Sequence, residues 1–339
     1  MKLKLNHDRP KYDLVCIGDC TIDAFIKLKE AYVYCDIHKE NCQLCMPFAT
    51  KIPYESLEVI AAVGNSSNVA VGAARMGFKT AIITAVGGDR HGIDILDVYR
   101  KEGVSTEFVK VNKTKPTNYH FVLNYKAERT ILIKHNEYEY FDPKAIDKST
   151  KWIYFSSMAE NTLPFHDRIA RYLKKHPEIK LGFNPGTFQL RYGINRMKDI
   201  YRRTHVLFVN REEAAFVLGK KKLDVGPLFD GLHKLGPKIV VITDGPKGAY
   251  ASDGINRYFM PIYPDPRPPI SRTGAGDAFS TGFLCAIMYG LTVYDALRWA
   301  PIESMNVVQH FGAQTGLFNK AQLLKALRAA PKNYRPKLI

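Results

Sequence analysis

The sequence predicts an α/β fold organised on a central, mostly parallel sheet, and three observations carry that prediction. Short apolar runs recur along the chain at lengths suited to strands buried on both faces. Segments with helical spacing of apolar residues alternate with them, an order that sets parallel strands between two helix layers. Two interruptions, at 24–62 and 106–135, instead carry short β-prone stretches, alternating in the second, as antiparallel strands with one exposed face require.

Residues 12–18 form the first buried-strand candidate. Residues 65–76 hold small and apolar side chains on a helical period, and Gly77 stops them. A second buried strand is expected at 80–86, with a helix from about 89 to 101 behind it. Inside the interruptions the β-prone stretches are 25–28, 32–34 and 59–62, then 118–123 and 130–134. The α/β rhythm resumes with strands at 151–155, 180–183 and 205–210, a helix at 212–218 and a strand at 238–243. The proline-rich segment 261–269 resists helix and central strand alike and is expected as a rigid surface connector. Helices starting at Asp277 and at Val293 close the fold, and the last ten residues are expected to be disordered. No internal repeat is evident.

A chain of 339 residues can bury a substantial core. No apolar run approaches a membrane span, and the basic start lacks a hydrophobic signal core, which predicts a cytoplasmic protein. Against 33 acidic residues stand 49 lysines and arginines, a formal charge of +16. The basic residues are scattered, with no basic arm or zinc-finger spacing, so nucleic acid is not expected as the substrate; the charge suits a solvated surface that attracts a polyanionic nucleotide. Six cysteines are too few for a disulfide scaffold at this length. Cys16 and Cys285 sit in apolar runs as buried thiols. Cys35, Cys42 and Cys45, with His38, have spacing open to a zinc set or a redox pair, but without a second CxxC they are expected as reduced structural thiols.

The stretch 272–280 (RTGAGDAFS) is the most informative in the chain. Glycines flank Ala275, Asp277 follows, and an apolar helix begins. Unpaired N–H groups at a helix start, together with the helix dipole, favour a phosphate. A carboxylate beside that phosphate makes little sense as a binder and good sense as a base for a hydroxyl proton. An ordinary turn capped by Asp277 would share the same composition.

This stretch resembles the C-terminal signature of the ribokinase-like (PfkB) carbohydrate and nucleoside kinases. Further motifs follow in that family's order: 18–23 (GDCTID), 64–68 (GNSSN) before 69–77 (VAVGAARMG), 87–89 (GGD), Asn184-Pro185, 210–213 (NREE), and 243–245 (TDG) with Gly248. The similarity spans roughly residues 12–315. It implies a three-layer sandwich with a small β lid, a large α/β body from 12–23, 63–105 and 136–330, and a lid from 24–62 and 106–135 that can also build a homodimer. It implies ATP and Mg²⁺ as cofactors and a small sugar or nucleoside as partner. It assigns Asp277 as the base, the backbone N–H groups of Ala275, Gly276 and Asp277 as the anion hole, and Gly274 to the same catalytic motif. Asp23, Gly64, Asn65 and Asn68 would grip the acceptor. Asn184, Thr243, Gly245, Gly248 and Asn306 would line the nucleotide, and Asn210 with Glu213 would hold Mg²⁺ largely through water. The latter pair also has the spacing of a helix capping box.

Three positions depart from the family pattern. Val63 replaces the first of a usual glycine pair, Ser271 stands where an aspartate often serves a monovalent cation, and Gly182 stands where an acidic residue is frequent. Potassium dependence is therefore not implied. The expected activity is transfer of the ATP γ-phosphoryl to a sugar hydroxyl. A nucleoside kinase would add an aromatic wall, for which Tyr32, Tyr34, Phe48 and Phe121 are candidates, although the same residues suit a lid core. A non-catalytic sugar or nucleotide sensor is the third alternative, and the retained Asp277 and Glu213 argue against it.

Overall fold

The computed structural model describes residues 10–36, 42–126, 128–147, 149–222 and 224–339; His38 and segment 1–9 lie outside them. β1 (Leu14–Ile17) leads within three residues into β2 (Thr21–Leu28), followed by the ribbon β3 (Tyr32–Tyr34) and β4 (Gln43–Cys45), β5 (Tyr54–Val63) and α1 (Asn65–Arg75). β6 (Thr80–Gly87), α2 (Arg90–Lys101), β7 (Val104–Ser105) and β8 (Val109–Asn112) precede the hairpin β9 (Tyr119–Tyr125) and β10 (Glu128–Leu132). Then come β11 (Trp152–Phe155), α3 (Leu163–Lys175), β12 (Lys180–Phe183), α4 (Thr187–Arg203), β13 (Thr204–Asn210), α5 (Arg211–Val217) and α6 (Val225–Lys234). β14 (Ile239–Thr243), β15 (Ala249–Ser252), β16 (Arg257–Met260), α7 (Ala275–Met288), α8 (Val293–Val307), α9 (Lys320–Arg328) and β17 (Lys337–Leu338) complete the chain.

Among the described residues, 11 strands form one sheet in the order β17-β16-β15-β14-β13-β12-β11-β1-β6-β7, with β8 also on β6. From β14 to β7 the pairings are parallel, and β15, β16 and β17 extend the sheet antiparallel. Successive side chains of a strand face opposite ways, and each face has its own core. Leu14 and Cys16 join α1, α7 and α8 on one side; Val15 and Ile17 join α3, α4 and α6 on the other. All four side chains are fully buried, each aliphatic one contributing about 1.5–3 kcal/mol. The result is the three-layer α/β sandwich that the sequence predicts.

A second sheet of four strands runs β10-β9-β2-β5. β2 pairs antiparallel with β5 but parallel with β9. Segment 109–112, grouped by sequence with the small lid, pairs instead with β6 of the large sheet. The C-terminal ten residues are not disordered: Tyr334 is buried, its hydroxyl donates to the Arg298 carbonyl at 2.8 Å, and β17 pairs with β16. The cysteine expectation also needs correction, because Cys35 and Cys42 are joined by a disulfide next to the paired strands β3 and β4. Cys45 is a free, exposed thiol, while Cys16, Cys20 and Cys285 are buried thiols. No group of three or more candidate metal ligands occurs among the described residues. None of the described helices is long and apolar enough to cross a membrane.

Candidate active site

The start of α7 is shaped by glycine. Gly274 caps the helix in the left-handed region at φ 81°, where a side chain is strained. A Cβ there would also fall 2.3 Å from the Ala313 Cβ. At Gly276 an added Cβ would meet nothing within 4 Å, so its surroundings are open. The Ala275 N–H is drawn back to the Arg272 carbonyl at 3.4 Å. The first-turn N–H groups of Gly276 and Asp277 have no acceptor within the helix, and the dipole adds positive character.

Asp277 follows in that first turn, and both its oxygens are held. Asn65 Nδ2 donates to Oδ1 at 3.0 Å, and Asn68 Nδ2 donates to Oδ2 at 2.7 Å. Both asparagines come from the first turn of α1, so two helix starts converge here. Burial of the carboxyl pushes its pKa up to about 6; the two amide donors and the Arg129 charge act the other way, and the Asp23 charge adds to the rise.

Asp23 lies on β2 of the small sheet, next to His120 of β9 by strand register. Its Oδ1 stands 3.5 Å from His120 Nδ1, an ion-pair distance without hydrogen-bond geometry. Asp23 Oδ1 and His120 Nε2 are both buried without a hydrogen-bond partner. Neighbouring Asp19, by contrast, is saturated by Tyr140, the Ala159 N–H and His135. A carboxylate oxygen with no donor is the feature expected of a group that accepts from a ligand hydroxyl. Gly64 also meets a packing constraint: at φ 122°, a Cβ would lie 2.6 Å from the Asp19 carbonyl.

Asn210 and Glu213 form the reciprocal capping box of α5: Glu213 N–H donates to Asn210 Oδ1 at 2.7 Å, and Asn210 N–H to Glu213 Oε2 at 2.8 Å. Burial raises the Glu213 pKa, and the charges of Glu212 and Asp277 raise it further. The oxygen donors and surplus negative charge suit a hard cation such as Mg²⁺. Thr243 ends β14 and is followed by a turn through Gly245 at φ 52° and Gly248 at φ 106°. Asn184 Nδ2 donates to the Phe208 carbonyl at 2.9 Å, while its Oδ1 accepts from Asn65 at 3.3 Å. Asn306 is turned inward, donating to the Gly316 carbonyl at 2.6 Å.

Asp277, Gly274, Gly276, Asn65, Asn68 and Asn184 are thus brought together, with Asp23 close enough for its charge to be felt. The proposed aromatic wall is not. Phe121 pairs with Ala24, so alternation turns it to the face opposite Asp23. Tyr32, Tyr34 and Phe48 are exposed. Sequence missed His120, His135, Arg129 and Gln314. The alternation at 118–123 carried the only available signal, since it already set His120 and Phe121 on opposite faces.

The sequence model of the pfkB family carbohydrate kinases matches residues 13–320. A nucleoside kinase of Methanothermobacter thermautotrophicus is 25% identical over 280 residues, covering 78% of this chain and 84% of that protein. A ribokinase of Bacillus subtilis is 27% identical over 262 residues, covering 75% of this chain and 83% of that protein. The structure of Arabidopsis thaliana ribokinase complexed with ribose and ATP matches at a TM-score of 0.76 and 20% identity, over 94% of this chain and 99% of that one, a likeness of fold. With nearly the whole chain inside the family match, this protein belongs to the pfkB family of carbohydrate kinases and is an ATP-dependent phosphotransferase acting on a small polar substrate.

Proposed function

We propose that the protein phosphorylates a hydroxyl group of a sugar, with Asp277 as the base. One observation supports this most: an ionisable carboxylate at a glycine-shaped helix start, oriented by two amides, in the electrostatic reach of the orphaned Asp23. Asp23 Oδ1 accepts a hydroxyl hydrogen of the acceptor, and the remaining Asn68 N–H can donate to another. Each Asp277 oxygen keeps a lone pair for the proton of the attacking hydroxyl. As the acceptor oxygen bonds to the γ-phosphorus, the bond to the ADP oxygen breaks and the proton passes to Asp277. The N–H groups of Gly276 and Asp277 meet the charge on the transferred group. Asn210 and Glu213 would hold Mg²⁺, which supplies charge neutralisation to the nucleotide phosphates when bound.

The absence of an aromatic wall among the named candidates favours a sugar over a nucleoside. The test is ATP consumption with Mg²⁺ across free sugars, sugar acids, sugar phosphates and nucleosides, beside Asp277→Asn. ADP formation with sugars alone, reduced about 10²–10⁴-fold in the variant, is the expected result. Turnover only with nucleosides would replace the acceptor class, and acceptor binding without turnover would overturn catalysis in favour of a sensor.

A further inference from the structure

Two amide relays end on the two oxygens of Asp277, and each starts on a backbone carbonyl, a group that cannot turn round. In the first, Asn184 Nδ2 donates to the Phe208 carbonyl, and its Oδ1 accepts from Asn65 Nδ2, which also donates to Asp277 Oδ1. In the second, Gln314 Nε2 donates to the Ala62 carbonyl at 2.6 Å and to Asn68 Oδ1 at 3.0 Å. Asn68 Nδ2 then donates to Asp277 Oδ2 at 2.7 Å. Gln314 is buried and its backbone is pinned: Arg75 Nη1 donates to the carbonyls of Gln314 and Leu317 at 2.7 and 2.9 Å. The rest of the Arg75 guanidinium is fixed by a two-point bond to Glu102, both contacts at 2.8 Å.

We propose that Gln314 is a positioning residue for this site: by donating to both the Ala62 carbonyl and Asn68 Oδ1, it dictates which end of the Asn68 amide faces Asp277. An amide is nearly symmetric in shape but opposite in polarity at its two ends. Without Gln314, Asn68 can rotate its oxygen toward the carboxylate, replacing a donor by a repelling acceptor. With Gln314 in place that rotation would set NH₂ against NH₂ on one side and oxygen against oxygen on the other. The Ala62 carbonyl thereby sets the polarity of a group two side chains away. The inference rests on Asp277 being the functional carboxylate of the site.

The test reads Asp277 directly and needs no substrate. Protein labelled with ¹³C at aspartate carboxyls is titrated by NMR, with Asp277→Asn identifying the resonance. Gln314→Met keeps the length of the side chain and removes its donors; Gln314→Glu places an acceptor where the donor was. In either variant the Asp277 midpoint should rise by about one pH unit, the worth of one hydrogen bond to a charged group. A folded variant with an unmoved midpoint overturns the proposal, as does a lowered melting temperature with no change in the titration, the mark of a merely structural glutamine. Should one variant fail to fold, the other carries the test. If the midpoint moves but the wild-type protein phosphorylates nothing, the relay stands and the kinase reading of the site fails.

Discussion

As the proposed base, Asp277 must be ionised to take a proton, and burial raises its pKa from the usual carboxylate value to about 6. The acid form predominates below about pH 6, so turnover should climb as pH rises through about 6 and then level off. The pH profile of kcat with a saturating acceptor checks this; a rate already flat from about pH 5 would show that another group limits proton removal. Asp277, Asp23 and Asn68 were legible in the sequence because each sits in a compact motif. Gln314 was not, since its contact with Asn68 joins positions 246 apart. His120 was hidden for a related reason: only the parallel pairing of β2 with β9 sets it beside Asp23.

The α7 start depends on a left-handed residue pressed against Ala313. Gly274→Ala adds a Cβ 2.3 Å from the Ala313 Cβ and 2.5 Å from its Cα, so the helix start and Ala313 must move apart. Turnover should fall at least about tenfold, because catalytic geometry tolerates little displacement, while circular dichroism stays native. Unchanged kcat would show that the turn relaxes without moving Asp277. The strands β1, β6, β11, β12, β13 and β14 were legible from their apolar runs, as were α1, α2, α5, α7 and α8, while β15 and β16 were not marked. The helices α3, α4, α6 and α9 were not marked. In α6, Gly226, Pro227 and Gly231 look like breakers by local preference. Packing overrides that preference: a Cβ on Gly231 would come within 2.6 Å of Leu218, so the small residue admits the neighbouring segment. In α4 the helical turns are interrupted at Gly193, with φ 75°, which breaks the period a sequence search relies on.

Glu303 of α8 couples the stability of the entire fold to pH. It is fully buried, Oε2 accepts from the Phe318 N–H at 3.1 Å, and Oε1 has no partner. Burial raises its pKa from 4.5 to about 8. Between those values the folded state holds a proton that the unfolded state has released, so stability is full below the lower value and declines as pH rises toward the upper one. Glu303→Gln keeps an acceptor for Phe318 and cannot ionise. Its melting temperature should therefore gain on the wild type steadily from about pH 5 to about pH 8; a pH-independent gap would show that Glu303 stays ionised. The ordered C terminus belongs to this same level: the last ten residues were expected to be disordered, but Tyr334 and β17 tie them to α8 and to the sheet edge.

Residues 278–286 of α7 are all buried between the large sheet, α1 and α8. Such amides exchange with deuterium only when the molecule opens globally, whereas β10, exposed along its length, exchanges by local fluctuation. The helix that carries Asp277 and the outer strand of the small sheet therefore keep different clocks. Deuterium uptake followed over minutes to days should separate them, the helix last; equal rates would mean that the helix and the edge of the small sheet open as one cooperative unit.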